Sequence, residues 1–189
     1  MLAGISHDLR TPLARLRLET EMSVPDAEAR EHMAADIAQV DTIIDKFLDY
    51  ARPDHVNMIP VPLAELARAC ILPFTQREDM QVQIDIAPEL RAMGDEVELS
   101  RILANLLENA RRYGKTPGTE LARVRLAATM RDGWISLRVR DHGPGVPPEM
   151  LSSLTRPFFR GDSARTEATG AGLGLAIVAK MVQNMDGRL

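Results

Sequence analysis

A histidine and an aspartate stand side by side near the start of the chain, as His7 and Asp8, and Thr11 follows one helical turn later. A neutral imidazole keeps one ring nitrogen free as a nucleophile while the other donates a hydrogen bond. Asp8 is placed to accept that bond, which fixes the tautomer and stabilises positive charge during attack. Thr11 lies on the same side of a helix as His7, where it can orient a water. A solvated His–Asp pair on a helix surface explains the same residues, so the rest of the chain must decide.

A second group of polar side chains falls on one stripe of a long predicted helix, from about residue 95 to residue 113. The stripe contains Asn105, Glu108, Asn109 and Arg112, beside an apolar stripe of Leu99, Leu103, Leu106 and Ala110. Asparagine is a poor mid-helix residue because its amide competes for backbone hydrogen bonds. Amide oxygens can bind a hard cation, and arginine can meet phosphate oxygens, without adding negative charge near a polyanion. The alternative is an ordinary solvated helix face.

The third group is a turn, Asp141-His142-Gly143-Pro144-Gly145, that follows a predicted strand. Gly143 and Gly145 let the backbone approach a ligand closely. A buried carboxylate at Asp141 would accept a hydrogen bond from an exocyclic amine such as that of adenine. A tight turn with a solvated aspartate is the alternative.

A stretch of little periodicity, residues 155–171, comes next and has the length of a lid or a binding loop. It contains Phe158-Phe159-Arg160 and runs into Gly170-Ala171-Gly172-Leu173-Gly174 at the start of the last predicted helix. Glycines that lead into a helix expose backbone N–H groups, and the helix dipole favours an anion there. Each of these groups is weak evidence alone, but together they indicate a nucleotide site.

The composition limits the classes of function. The chain has 189 residues and a formal net charge of −4, so a general affinity for nucleic acid is not expected. Its single cysteine, Cys70, excludes an internal disulfide and fits a small core position. No stretch approaches the roughly 20 apolar residues of a membrane span. Helical periodicity begins at once and a helix ends near the last residue, which predicts a fragment of a longer protein.

The first 52 residues predict two helices joined by the turn Ser23–Asp26, with Asp26 as the N-cap of the second helix. Apolar residues recur at helical spacing in both helices. They are Leu2, Ile5, Leu9, Leu13 and Leu16 in the first, and Met33, Ile37, Val40, Ile44, Phe47 and Ala51 in the second. The stripe of the first helix is expected to be buried, with His7 and Asp8 facing outward. Two such seams bury too little apolar surface alone, so the pattern predicts a homodimer through residues 1–52.

Prolines at 53, 60 and 62 mark residues 53–62 as a linker. Residues 63–189 then change to a mixed α/β pattern. It comprises a helix over 63–74, a strand near 82–86, the helix ending at 113, a hairpin around Asp132-Gly133 and a final helix over about 173–185.

In this order the motifs resemble those of sensor histidine kinases of two-component signalling, closest to the EnvZ/RisS type of osmosensor kinase. The resemblance lies in five segments that cover nearly the whole chain. His7 to Pro12 matches the H box, 105–113 the N box, 141–145 the first glycine box, Phe158-Phe159 the F box and 170–174 the second glycine box. The fold implied is an α-helical hairpin, forming a dimeric four-helix bundle of the DHp (HisKA) type. An α/β-sandwich ATP-binding domain of the GHKL (HATPase_c) type follows it.

The resemblance also implies the role of each residue. His7 would be phosphorylated, with Asp8 as its acid–base partner and Thr11 serving the phosphatase reaction. ATP and Mg²⁺ would be the cofactors, with Asn109 as the metal ligand. Nucleotide-binding residues would be Asn105, Asn109, Arg112, Tyr113, Asp141, Gly143, Gly145, Phe158, Arg160, Gly170, Gly172, Leu173 and Gly174.

The implied reaction is autophosphorylation of His7 followed by transfer to an aspartate in the receiver domain of an OmpR-like response regulator. The two groups lie on separate domains, so the linker must let them meet within about 3–3.5 Å. Arg10, Arg15 and Arg17 are candidates for docking that regulator, or are solvated helix residues. The fragment would be the cytoplasmic portion of a bacterial inner-membrane sensor, without membrane contact of its own. The alternatives are a GHKL-type nucleotide-binding module without kinase activity, and a coiled-coil dimerisation segment beside an unrelated ATPase.

Overall fold

The computed structural model describes residues 2–51, 55–159 and 171–189, with side chains from Asp8 onward. The chain divides into two compact units. The first contains Met1–Pro53 and Pro157–Leu173, and the second contains Asp54–Arg156 and Gly174–Leu189.

The first unit contains the two predicted helices, α1 (Leu2–Ser23) and α2 (Ala27–Ala51). Helix α1 runs through Pro12 without interruption. Asp26 is the N-cap of α2, as predicted, because its Oδ1 accepts a 2.8 Å hydrogen bond from the backbone N–H of Ala29. Thr20 is buried and donates to the carbonyl of Leu16. The hairpin is therefore closed by a capped turn.

The apolar stripes of the hairpin are not buried within one chain, contrary to the expectation for α1. Leu9 and Leu16 on α1 are exposed, as are Val40 and Phe47 on α2, and no residue of α2 is fully buried. Two helices meet along one line and cannot cover both seams. The side chain of His7 lies outside the described residues, whereas that of Asp8 is exposed as predicted.

Arg10 pairs within the hairpin. Its guanidinium forms ion pairs with Asp41 and Asp45 of α2, and the bond to Asp45 raises the pKa of Arg10. Arg10 therefore links the two helices of the hairpin, and its role in docking a regulator stays a prediction.

The second unit is a mixed α/β structure. Its strands are β1 (Ile59–Pro62), β2 (Met80–Asp85), β3 (Arg91–Gly94), β4 (Ala122–Arg131) and β5 (Trp134–Arg140). Its helices are α3 (Leu63–Thr75), α4 (Glu96–Tyr113), a short 3₁₀ helix (Pro148–Ser153) and α5 (Gly174–Asn184). Strands β1 and β3 pair antiparallel, whereas β2, β4 and β5 form a sheet in that order, parallel between β2 and β4 and antiparallel between β4 and β5. Among the described residues, no helix has the length and apolarity to cross a membrane.

The second half of the predicted linker is a strand. Residues 59–62 form β1 despite Pro60 and Pro62, and pair with β3, which the sequence did not predict. Proline is tolerated on an edge strand because its missing N–H then faces away from the partner. The boundaries proposed for the two domains and the linker otherwise stay a prediction.

One helical layer covers one face of the three-stranded sheet. Leu66 and Phe74 of α3 and Leu103 and Leu107 of α4 pack against Val124 and Leu126 of β4. Leu103 and Ala110 of α4 are buried as predicted, but the third buried leucine is Leu107, whereas Leu106 is only partly buried. Cys70 is half-buried at the edge of this core.

The tip of the β4–β5 hairpin is the predicted Asp132-Gly133 turn. Both residues have positive φ, 52° and 77°, as a type I′ turn requires. The turn sets the register of β5, which in turn places the Asp141 turn at the other end of the sheet.

Candidate nucleotide-binding site

Helix α4 carries the predicted polar stripe and begins at a strong N-cap. Asp95 accepts hydrogen bonds from the backbone N–H groups of Val97 (2.9 Å) and Glu98 (3.1 Å). With Leu103 and Leu107 packed into the core, Asn105, Asn109 and Arg112 lie half-buried at the border of the helix.

The two asparagines lie against the first residue of α5. A Cβ atom added to Gly174 would stand 3.4 Å from Oδ1 of Asn109 and 3.6 Å from Oδ1 of Asn105. Asn105 donates its amide N–H to the carbonyl of Arg101 at 2.9 Å, which fixes its orientation. The structure thus brings together Asn105, Asn109 and Gly174, three of the predicted site residues, at the N-terminus of a helix.

This arrangement suits a magnesium–nucleotide complex. Mg²⁺ prefers oxygen ligands and usually takes one or two from the protein, the rest being waters and substrate phosphates. The amide oxygen of Asn109 beside the glycine-led helix is a donor of that kind. No cluster of three or more His, Cys, Asp or Glu side chains that could hold a metal occurs in residues 8–51, 55–159 and 171–189.

The Asp141 turn packs against the C-terminal end of the same helix. Oδ1 of Asp141 accepts a 2.9 Å hydrogen bond from the N–H of Gly143. A Cβ on Gly143 would lie 2.6 Å from the carbonyl oxygen of Tyr113, and one on Gly114 would lie 2.6 Å from Cβ of Asp141. Asp141, Tyr113 and Gly143 are therefore neighbours, as a common nucleotide site requires.

The exposure of Asp141 differs from the expectation that this carboxylate is buried. Asp141 is exposed, not buried, because the turn lies at the surface of its unit. Gly145 has a φ of 71° with open space around it. Gly114 escaped the sequence reasoning, although a glycine directly after the last residue of a helix was a signal for such a close approach.

Residues of the predicted lid meet each other within the first unit. Phe158, exposed and with a positive φ of 63°, donates its N–H to the carbonyl of Gly172 at 2.9 Å. Gly172 has a φ of 67°, and a Cβ there would lie 2.7 Å from the carbonyl oxygen of Phe159. Leu173 is fully buried. Arg160 and Gly170 lie outside the described residues.

Glu108 lies on the polar stripe of α4, where the sequence analysis gave it no role, and it contacts Arg112, one of the predicted site residues. Oε1 of Glu108 accepts a 2.6 Å hydrogen bond from Nε of Arg112. Burial raises the pKa of Glu108, but the hydrogen bonds and charges of Arg111 and Arg112 outweigh it and lower this pKa to about 2. Glu108 is therefore ionised at neutral pH.

The predicted phosphoacceptor residues lie in the first unit. His7, Asp8 and Thr11 all fall within α1, and the four-residue spacing puts His7 and Thr11 on one side of the helix. Asp8 and Thr11 are exposed.

Two family models match the chain. Residues 1–56 match the "His Kinase A (phospho-acceptor) domain", and residues 94–189 match the "Histidine kinase-, DNA gyrase B-, and HSP90-like ATPase". The first match contains His7, and the second contains Asn109, Asp141 and Gly174.

The curated relatives of this chain are named as a histidine-protein kinase/phosphatase and a sensor protein. The chain is 32% identical, over its whole length, to 38% of the "Signal transduction histidine-protein kinase/phosphatase MprB" of Mycolicibacterium paratuberculosis. It is 34% identical, over 99% of its length, to 44% of the "Sensor protein RstB" of Escherichia coli. The chain thus spans about two fifths of the length of these relatives.

Solved structures give the same result. A full-length structure of ShkA in complex with AMPPNP matches 98% of this chain and 41% of that chain, with 27% identity and a TM-score of 0.73. The mycobacterial sensor histidine kinase MprB matches 70% of this chain and 83% of that chain, with 30% identity and a TM-score of 0.59. The predicted fold, a helical hairpin followed by a GHKL-type α/β domain, is confirmed, and the chain belongs to the sensor histidine kinase family.

Proposed function

We propose that this chain is the catalytic core of a two-component sensor, which phosphorylates His7 with ATP and passes the phosphoryl group to an aspartate of a response regulator. The observation that carries the proposal is the meeting of Asn105 and Asn109 with Gly174, while Asp141 and Gly143 pack at the far end of the same helix. One helix thereby supports both ends of an elongated nucleotide.

Within this proposal each residue has a chemical task. Asn105 and Asn109 hold the triphosphate end, where the N–H groups of the glycine-led helix α5 favour an anion. Asp141 accepts the adenine amine, and Tyr113 and Gly143 border that end. When bound, Mg²⁺ neutralises phosphate charge, with Asn109 as its ligand. The structure of ShkA, which matches 98% of this chain, was solved in complex with AMPPNP, and this supports the binding of a nucleotide.

The phosphoryl step forms a bond between an imidazole nitrogen of His7 and the γ-phosphorus as the bond to the β–γ bridging oxygen breaks and ADP leaves. Asp8 stabilises the positive charge on the ring and takes its proton. The imidazole nitrogen and the γ-phosphorus must approach to about 3–3.5 Å for the reaction. His7 and Asn109 belong to different units, so the linker must allow this approach.

We propose a homodimer through the hairpin as the working form. Leu9 and Leu16 of α1 and Val40 and Phe47 of α2 are exposed in one chain, and a second hairpin would cover them as a four-helix bundle. The chain spans less than half of the sensor protein RstB, and we propose that it is the cytoplasmic portion of a membrane-anchored sensor.

The deciding experiment is incubation with ATP labelled at the γ-phosphate. We expect acid-labile, base-stable label on the chain, and its loss in His7→Gln with nucleotide binding retained. His32→Gln is the matched control, an exposed histidine on the other helix of the hairpin, and it should label normally. Label that persists in His7→Gln would move the phosphorylation site, and release of free phosphate without phosphoprotein would favour a simple ATPase.

The site itself is tested by Asn109→Ala, which should abolish magnesium-dependent binding of a fluorescent ATP analogue. Gln83→Ala removes an exposed amide from β2 of the same unit and should bind normally. Unchanged binding by Asn109→Ala would refute the metal assignment.

A further inference from the structure

His142, the second residue of the Asp141 turn, contacts the neighbouring strand through its ring. Nδ1 of His142 lies 3.0 Å from the backbone carbonyl oxygen of Arg123 in β4, a residue 19 positions earlier. A carbonyl oxygen can only accept a hydrogen bond, so Nδ1 carries the proton and donates to it. The side chain of His142 is exposed, so this bond lies at the surface of the second unit.

The place of this bond follows from the register of β4 and β5. In an antiparallel ladder every second pair of opposite residues exchanges backbone hydrogen bonds, beginning at the pair that closes a two-residue turn. The ladder ends at Arg125 and Arg140, which form a pair of that kind. The next such pair would be Arg123 with His142, two residues further along each strand. The imidazole N–H of His142 therefore occupies the acceptor that its backbone N–H would reach in a longer ladder.

The ring bond lets the backbone leave the sheet while the turn stays attached to β4. Strand β5 ends at Arg140, and among the described residues no backbone–backbone hydrogen bond joins residues 141–146 to another element. Gly143 and Gly145 restrict the backbone of this segment little. Contacts of its side chains must therefore hold the turn in one conformation.

The turn is attached on two sides. Toward α4, Gly143 packs so closely that a Cβ there would stand 2.6 Å from the carbonyl oxygen of Tyr113. Toward β4, the ring of His142 donates to the carbonyl of Arg123. Asp141 directly precedes these two residues, and its Oδ1 accepts from the N–H of Gly143. Both attachments therefore restrict where the carboxylate of Asp141 can lie.

We infer that His142 is a positioning residue for nucleotide binding: its Nδ1–H bond to the carbonyl of Arg123 holds the turn in the conformation in which Asp141 meets the adenine amine. The inference rests on the proposed function, which assigns that contact to Asp141. A turn that is fixed before the nucleotide arrives loses less conformational freedom on binding, so the bond should increase affinity.

The test compares two variants of His142 in the whole chain. His142→Asn places an amide N–H close to the position of Nδ1, whereas His142→Leu has the shape of asparagine without a donor. We expect His142→Leu to weaken the binding of a fluorescent ATP analogue about fivefold, the size of one hydrogen bond. His142→Asn should bind within about twofold of the natural chain. Equal affinities of the two variants, whether normal or weak, would overturn the inference.

Autophosphorylation gives a second measurement. The KM for ATP should rise in His142→Leu by the same factor as the dissociation constant, with kcat unchanged, because the bond acts on binding and not on the phosphoryl step. A fall in kcat with an unchanged KM would contradict a role in nucleotide binding. His142 is exposed, so the thermal midpoints of both variants should stay close to that of the natural chain.

His55→Leu is the matched control. His55 is an exposed histidine of the same unit and lies outside the proposed site. Its replacement should leave the affinity for the ATP analogue unchanged. Equal weakening in His55→Leu and His142→Leu would show a general effect of the substitution and overturn the inference.

Asp141→Ala separates this inference from the proposed function. The proposed adenine contact predicts weak binding in Asp141→Ala, and the double variant with His142→Leu should be no weaker, because His142 acts through Asp141. Weak binding in Asp141→Ala with normal binding in His142→Leu would overturn the positioning role and leave the site standing. Normal binding in Asp141→Ala would refute both the adenine contact and the inference.

Discussion

Asp95 accepts a 2.8 Å hydrogen bond from the backbone N–H of Asn57, a residue 38 positions earlier in the chain. The same carboxylate caps α4 through the N–H groups of Val97 and Glu98. One buried side chain therefore fixes both the segment that leads into β1 and the helix that carries the asparagines.

Asp95→Ala should lower the free energy of unfolding of the second unit by about 2–3 kcal/mol, since it removes an N-cap and a long-range bond to a charged acceptor. Urea unfolding followed by the fluorescence of Trp134, the single tryptophan, measures this unit. Asp85→Asn breaks an ion pair with Arg125 in which both side chains are about half exposed, and should cost at most about 0.5 kcal/mol. Similar losses for the two variants would contradict the special role of Asp95.

The contribution of Asp95 should also depend on pH. The bond from Asn57 lowers the pKa of Asp95, burial opposes it, and the bonds from Glu98 and Val97 lower it further. A depressed pKa stabilises the fold above the ordinary value of 3.8, and the stabilisation disappears as the pH falls through the folded value. The stability gap between the natural chain and Asp95→Asn should therefore be largest near neutral pH and shrink below about pH 4. A gap that stays constant in acid would mean that the charge does not matter.

Gly143→Ala should weaken ATP binding by about tenfold or more, because its Cβ would meet the backbone of Tyr113 and Gly114 at under 3 Å and displace the Asp141 turn. Gly118→Ala provides the contrast. Gly118 has a φ of 79° and open space, so alanine costs about 1 kcal/mol of stability and should not alter binding. Titration with a fluorescent nucleotide compares the two variants. Equal affinities would show that the Asp141 turn is not part of the nucleotide site.

Phe47→Glu should convert the dimer to a monomer, because a charge on the exposed seam of α2 would be buried between the two hairpins. Sedimentation velocity measures the mass. Leu72→Glu, at a more exposed position on α3, should remain dimeric. A Phe47→Glu variant that stays dimeric would place the interface elsewhere.

Thr11→Ala should spare autophosphorylation and slow the dephosphorylation of a phosphorylated OmpR-like receiver domain about tenfold or more, since no hydroxyl would orient the water. Thr42→Ala is the control on α2, where the hydroxyl donates to the carbonyl of Ala38 at 2.9 Å. Parallel loss of both activities in Thr11→Ala would indicate a structural threonine.

The sequence alone determined the features that depend on near neighbours. The cap at Asp26, the Asp132-Gly133 turn and the helical course of α3 and α4 all follow from backbone preferences within a few residues. The order of the motifs likewise identified the family.

Only the tertiary structure decided the contacts between distant residues. It paired β1 with β3 across two prolines, buried Leu107 of α4 more deeply than Leu106, and tied Arg111 to Asp79. It also packed Gly143 against Tyr113 and Asn109 against Gly174. These contacts depend on side-chain packing between segments tens of residues apart, which no local period or turn preference encodes.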